Sequence, residues 1–163
     1  MHMLIWIIVR MNMDNEYYTI SARAEKEVSY RFIARIIGLL LVFESLLLMT
    51  CCCVSLCYGE DDLMAFCTSF GISLAAGVAL MAGGHMKAVR PCRSEAYIIV
   101  ALSWVFFTIF GMMPYLTGGY IPSVTDAFFE TMSGFTTTGA TILDDIERLP
   151  HGILFWRSLT QWI

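Results

Sequence analysis

Three stretches decide what this chain can become: residues 36–58, 63–83 and 97–116 are each about twenty residues long, and Glu44 is the one acidic or basic side chain in them. As helices rising about 1.5 Å per residue they reach roughly 30 Å, the thickness of a bilayer's hydrocarbon core. Hydrocarbon offers a backbone no hydrogen-bond partner, so such stretches satisfy their own peptide groups as helices. The expected fold class is an all-α integral membrane protein. A composition 58% hydrophobic and 15% charged agrees, since soluble domains run nearer half apolar and about a quarter charged.

Charge placement sets orientation. Arg31 and Arg35 precede the first span, and Lys87, Arg90 and Arg93 lie between the second and third, whereas the other connections are acidic, with Glu60, Asp61 and Asp62 in one and Asp144, Asp145 and Glu147 in another. Basic loops stay inside, which predicts a multi-pass protein of the inner (cell) membrane with a cytoplasmic N-terminus. Residues 1–30 read as a cytoplasmic lead-in, with Met11 and Met13 as alternative starts. Glu44 is costly at membrane depth unless it faces protein or water, so it is expected to face other helices, hydrogen-bonded or uncharged. Gly71, Ala75, Ala79 and Gly83 recur every four residues, with Ser69, Ser73 and Gly77 beside them; such rows let helices approach closely and predict a packing face.

Several functions are excluded. The basic residues form no dense patch for nucleic acid. Cys51, Cys52 and Cys53 are consecutive and point about 100° apart on a helix, so they do not converge on one metal; Cys53 and Cys57 could share a face, but small apolar filler is the expected role. His85 is a single histidine in a basic loop and is read as a loop residue, not a metal ligand. No paired Ser/His, Asp/Asp or His/Glu set sits at membrane depth, so no enzyme is expected.

The irregular stretch is the informative one. Ser123-Val124-Thr125-Asp126 carries helix-start chemistry, a hydroxyl cap and an acid in the first turn. The helix expected over about 125–134 is too short to span, and Gly134 offers it a stop. Its apolar face is Ala127, Phe128, Met132 and Phe135; Glu130 is the exception, expected where the helix meets its neighbours or an outer vestibule. Thr136, Thr137 and Thr138 then favour an extended backbone, ended by Gly139, which reaches dihedrals other residues avoid. Irregular backbone at membrane depth is tolerated where it lines a wet cavity or coordinates an ion, and consecutive carbonyls suit a dehydrated cation. The fold expectation is three transmembrane helices, one re-entrant pore helix with a filter loop over 135–141, and the start of a fourth helix from 152. In that reading the carbonyls of Thr136, Thr137, Thr138 and Gly139 bind K+, and Gly134, Ala140 and Thr141 support the filter. The acidic 143–148 segment would rim the outer mouth and concentrate cations.

The run Phe128-Phe129-Glu130-Thr131-Met132-Ser133-Gly134-Phe135-Thr136-Thr137-Thr138-Gly139-Ala140-Thr141, followed by Phe155-Trp156-Arg157-Ser158-Leu159-Thr160-Gln161-Trp162-Ile163, closely resembles the first pore repeat of the Trk/Ktr/HKT potassium transporter family, in its TrkH-like branch. The resemblance covers roughly residues 31–163. It implies two leading helices with a basic cytoplasmic loop over 31–96 and a first helix–pore–helix repeat over 97–163, its first helix at 97–116. It further implies three more repeats completing the pore, a homodimeric membrane subunit and a cytosolic nucleotide-binding regulatory subunit. By the same likeness Gly139 is the filter glycine, at which sodium-conducting plant members carry serine. One loop does not surround an ion, so the missing repeats or full-length subunits are expected to complete the ring. The alternative is a truncated membrane protein with an interaction or assembly role only.

Overall fold

The computed structural model describes residues 30–83, 93–143 and 145–162, with the backbone alone at 93–95. Residues 1–29 of the lead-in expected over 1–30, the loop bearing His85, Lys87 and Arg90, and Asp144 lie outside the described residues, and Tyr30 already belongs to the first helix. Among the described residues the regular elements are all helical: α1 Tyr30–Tyr58, α2 Leu63–Gly83, α3 Arg93–Gly111, α4 Met113–Thr117, α5 Val124–Phe135, a 3-10 turn Ile146–Arg148 and α6 His151–Thr160. Among the described residues three segments, Tyr30–Tyr58, Leu63–Gly83 and Ala96–Thr117, are long and apolar enough to cross a membrane.

The third of these is broken near its end. Pro114 has no N–H and would disrupt the interior of a continuous helix, so α3 ends at Gly111 and a new helix opens with the proline in its first turn, where no donor is needed.

α1 and α2 form an antiparallel pair joined by a tight turn in which Gly59 takes a left-handed φ of 67°. The buried stripe of α1 includes Ile33, Ile37, Leu41, Glu44, Leu48, Cys51 and Ser55, spaced three or four residues apart as one helical face requires. On α2 the buried row is Ala65, Ser69, Ser73 and Gly77. The parallel row expected to pack, Gly71, Ala75, Ala79 and Gly83, is exposed, and a Cβ added at Gly71 or Gly83 would meet nothing. The helices touch where Gly38 crosses Gly77: a Cβ on Gly38 would stand 2.7 Å from the Gly77 carbonyl oxygen, and one on Gly77 would stand 2.9 Å from that of Gly38. Gly77→Leu is therefore expected to force the pair apart at a cost of about 1–3 kcal/mol, seen as a lower unfolding temperature in detergent, whereas Gly71→Leu should change it little.

One apolar core joins these leading helices to the later ones. Leu48 of α1, Phe66 of α2, Tyr115 of α4, Phe135 of α5, and Ile153 and Trp156 of α6 are buried together. The Trp156 indole N–H donates to the Gly111 carbonyl at 2.9 Å, and the ring meets Phe135 edge-on. Glu44 faces protein as expected, 1% exposed, with Oε1 3.0 Å from where a Gly111 Cβ would stand. Among the described residues neither of its oxygens has a hydrogen-bond partner.

Candidate functional site

The short helix starts as its residues dictate: Ser123 is extended at the cap position and its hydroxyl accepts from the Asp126 N–H, with Asp126 in the first turn. It runs twelve residues, roughly 18 Å by helical rise, so it is too short to span. It does not stop at Gly134. The glycine is there because α6 passes against it, and a Cβ would strike the Thr160 side chain.

The helix ends through its backbone instead. The Thr138 N–H donates to the Ser133 carbonyl at 3.0 Å and the Thr137 N–H to the Gly134 carbonyl at 2.9 Å, the paired closure of a Schellman motif. That closure needs a left-handed residue after the cap, a place usually held by glycine; here it is Thr137, at φ 55°. The threonine run is thus not the uniform extended strand expected from β-branching, because closing the helix outweighs the local preference. Gly139 is left-handed as well, at φ 71°, so positive φ recurs two residues on. A β-branched side chain in this region costs of order 1–3 kcal/mol, against about 0.5–1 kcal/mol of extra backbone entropy for glycine. Thr137→Gly should therefore stabilise the helix end by about 1 kcal/mol, raising the unfolding temperature; a lower temperature would contradict the strain.

The rest of the loop is held by side chains. The Ser133 hydroxyl donates to the Ala140 carbonyl at 2.6 Å, and the Thr136 and Thr138 hydroxyls pair at 2.9 Å. Glu130, its side chain 1% exposed, accepts from the Thr141 hydroxyl, from the Ile142 N–H and from Nε of Arg157 at 2.8 Å. One buried carboxylate thus ties α5, the returning loop and α6 together. Neither the Glu130–Arg157 pair nor the Ser133 bridge was readable in the sequence, although Glu130 stood out as the exception to the helix's apolar face.

The backbone accounting that follows is specific. Met132, Ser133 and Gly134 carbonyls accept hydrogen bonds from the turn, and Ala140 accepts from Ser133. Among the described residues, no hydrogen bond reaches the carbonyls of Thr136, Thr137, Thr138 or Gly139. Residues 136–141 are exposed on this chain.

The expected acidic rim is partly neutralised, since Asp145 pairs with Arg148 at 2.6 Å. Glu147 and Arg148 line a polar cavity of about 490 Å³ with Glu60, Asp61, Tyr120 and His151, which brings the two acidic connections together. Burial alone would raise the Glu60 carboxyl, but hydrogen bonds from the His151 ring and backbone outweigh it and hold the group below the usual carboxylate value. Tyr120 is pushed up by burial and by the nearby Asp62, Glu60 and Asp61.

Three membrane-length helices, then a short helix closed by a loop that side chains brace, define an all-helical multi-pass membrane protein. The family model described as TrkH, cation transport protein, matches residues 62–163, and the chain belongs to that family. It is 40% identical over 138 residues to the Trk system potassium uptake protein TrkH of Halomonas elongata, covering 83% of this chain and 28% of the relative. To TrkH of Escherichia coli K12 it is 37% identical, covering 82% of this chain and 28% of that one. The crystal structure of the potassium transporter TrkH from Vibrio parahaemolyticus superposes with a TM-score of 0.77 at 35% identity, over 82% of this chain and 29% of that one. The chain therefore spans about 28% of the length of the curated relatives it matches.

Proposed function

We propose that this chain supplies the first filter strand of a potassium-uptake pore. The observation that carries the reading is the unclaimed carbonyls of Thr136 to Gly139, four of a run that begins at Phe135 and is bounded by the Gly134 and Ala140 carbonyls, both in use. Backbone oxygens without a partner are what a potassium ion needs in exchange for its hydration shell. In this reading α5 is a re-entrant pore helix whose partially negative C-terminus favours a cation nearby, residues 135–141 are the filter, and α6 begins the second helix of the repeat. Gly134, Ala140 and Thr141 support the strand: the first lets α6 approach, the second is bridged to Ser133, the third is tied to Glu130.

The pore would be completed by further repeats or by full-length subunits. The potassium for which the relatives are named, a homodimeric assembly and a cytosolic nucleotide-binding regulator belong to the same proposal, as do placement in the inner membrane and a cytoplasmic N-terminus. Expressing the full-length polypeptide in which this sequence occurs, in a bacterium lacking potassium uptake, tests it. Growth at low potassium with rubidium uptake is the expected result; a protein that reaches the membrane and carries neither ion would overturn the reading.

A further inference from the structure

The start of α6 lacks the cap its own sequence should provide. Pro150 occupies the cap position and has no side-chain acceptor, and the first turn holds no acidic residue. The missing acceptor comes from elsewhere in the chain: Glu60, in the turn between α1 and α2, takes the His151 backbone N–H on Oε2 at 2.7 Å and faces the His151 ring Nδ1 at 2.7 Å on Oε1. The imidazole also stacks on Tyr58, centroids 4.1 Å apart and planes 2° from parallel. Beside this, Asp62 is fully buried, accepts from the Ser55 hydroxyl, and lies so close to Gly152 that a Cβ there would collide with its carboxylate. Glu60 thus satisfies the first backbone donor of α6, and Asp62, whose Oδ2 has no hydrogen-bond partner among the described residues, packs beside it against the same turn.

We infer that Glu60 is a positioning residue for the 136–142 loop, acting from the turn of the leading helices through α6. Arg157 lies six residues into α6 from His151, about 9 Å along the axis. The axial setting of α6 therefore decides where the guanidinium meets Glu130, and Glu130 holds Thr141 and Ile142. With the clamp open, the first turn of α6 frays and the anchor of the loop moves with it. The leading helices thus do more than cross the membrane: their turn sets the height of the helix that fixes the returning end of the loop.

The flux arm of the test rests on the transport reading; the cross-linking arm does not. In the full-length polypeptide, Glu60→Ala is expected to lower rubidium uptake about fivefold, the factor equivalent to the roughly 1 kcal/mol of helix stability that one lost cap costs, and to lower the rubidium-over-sodium ratio, with membrane abundance within about twofold of the parent. Glu60→Gln keeps an acceptor oxygen and should restore most of both. In a background with the native cysteines replaced by serine, the pair Glu60→Cys and His151→Cys should be joined by a short bifunctional thiol reagent. The acid profile adds a readout. The groups around Glu60 are Tyr58, Asp61, Asp62, Tyr120, Glu147, Arg148 and His151. Because the Glu60 carboxyl sits below its unfolded value, its contribution is whole at neutral pH and is lost as pH falls from about 4.3 through the lower folded value. The gap in unfolding temperature between the parent and Glu60→Gln should close over that range. Unchanged uptake and ion ratio in Glu60→Ala would overturn the inference, as would uptake falling only in step with abundance, or no cross-link. If Glu60→Ala fails to accumulate, Glu60→Gln and the cross-link decide. A parent protein that cross-links after the paired substitution but takes up no rubidium before it would sink the transport reading and leave the clamp standing.

Discussion

Replacing Arg157 with alanine is expected to lower rubidium uptake by the full-length polypeptide more than tenfold, and to cost more than replacing its partner Glu130. Burial decides the asymmetry. Glu130 is 1% exposed and Arg157 18% exposed, so losing the guanidinium strands a carboxylate that water does not reach, whereas losing the carboxylate leaves a cation that water partly covers. Breaking a buried pair by removing one partner costs about 3–5 kcal/mol; Arg157→Ala should sit in that range and Glu130→Ala nearer 2 kcal/mol. Glu130→Ala also frees the Thr141 hydroxyl and Ile142 N–H, which are near enough to solvent to find water. The double variant should be less damaged than the sum of the singles, since no uncompensated charge remains. Unfolding temperature in detergent and rubidium flux measure the series. Equal effects of the two single substitutions, or strict additivity, would show that the pair does not hold the loop.

What the sequence showed and what it concealed divide along physical lines. The three spans were legible because hydrocarbon thickness imposes a length and the apolar runs meet it. The start of α5 was legible because capping is local: Ser123 and Asp126 act within one turn. Gly134 was not, since a glycine that ends a helix and one that admits a neighbour look alike until Thr160 is placed beside it. The two small-residue rows of α2 fit the same spacing, and partner position alone chose the one through Ser69, Ser73 and Gly77. The threonine run misled for a different reason. Its propensity is extended, but the N–H groups of Thr137 and Thr138 are needed to close α5, and that closure imposes the left-handed turn. Contacts far apart in sequence, Glu60 with His151 and Glu130 with Arg157, have no local signature.

Gly139→Ser is expected to reduce the potassium-over-sodium ratio about tenfold. Space is not the cause, because a Cβ at this position would meet nothing within 4 Å on this chain. The backbone is: φ is 71°, a region in which a side chain costs of order 1–3 kcal/mol, so a serine either stores that strain or relaxes its peptide and turns a carbonyl away from the ion. A change of about 1.4 kcal/mol in the preference for one ion over another is tenfold in the ratio, within what the strain supplies. Gly139→Ala separates the two contributions, since it restricts φ equally and adds no hydroxyl. If alanine and serine shift the ratio alike, the dihedral carries the effect; if serine alone does, its hydroxyl competes as a ligand. A ratio unchanged in both variants, with protein in the membrane, would remove Gly139 from the ion path and leave the four open carbonyls without the role proposed for them.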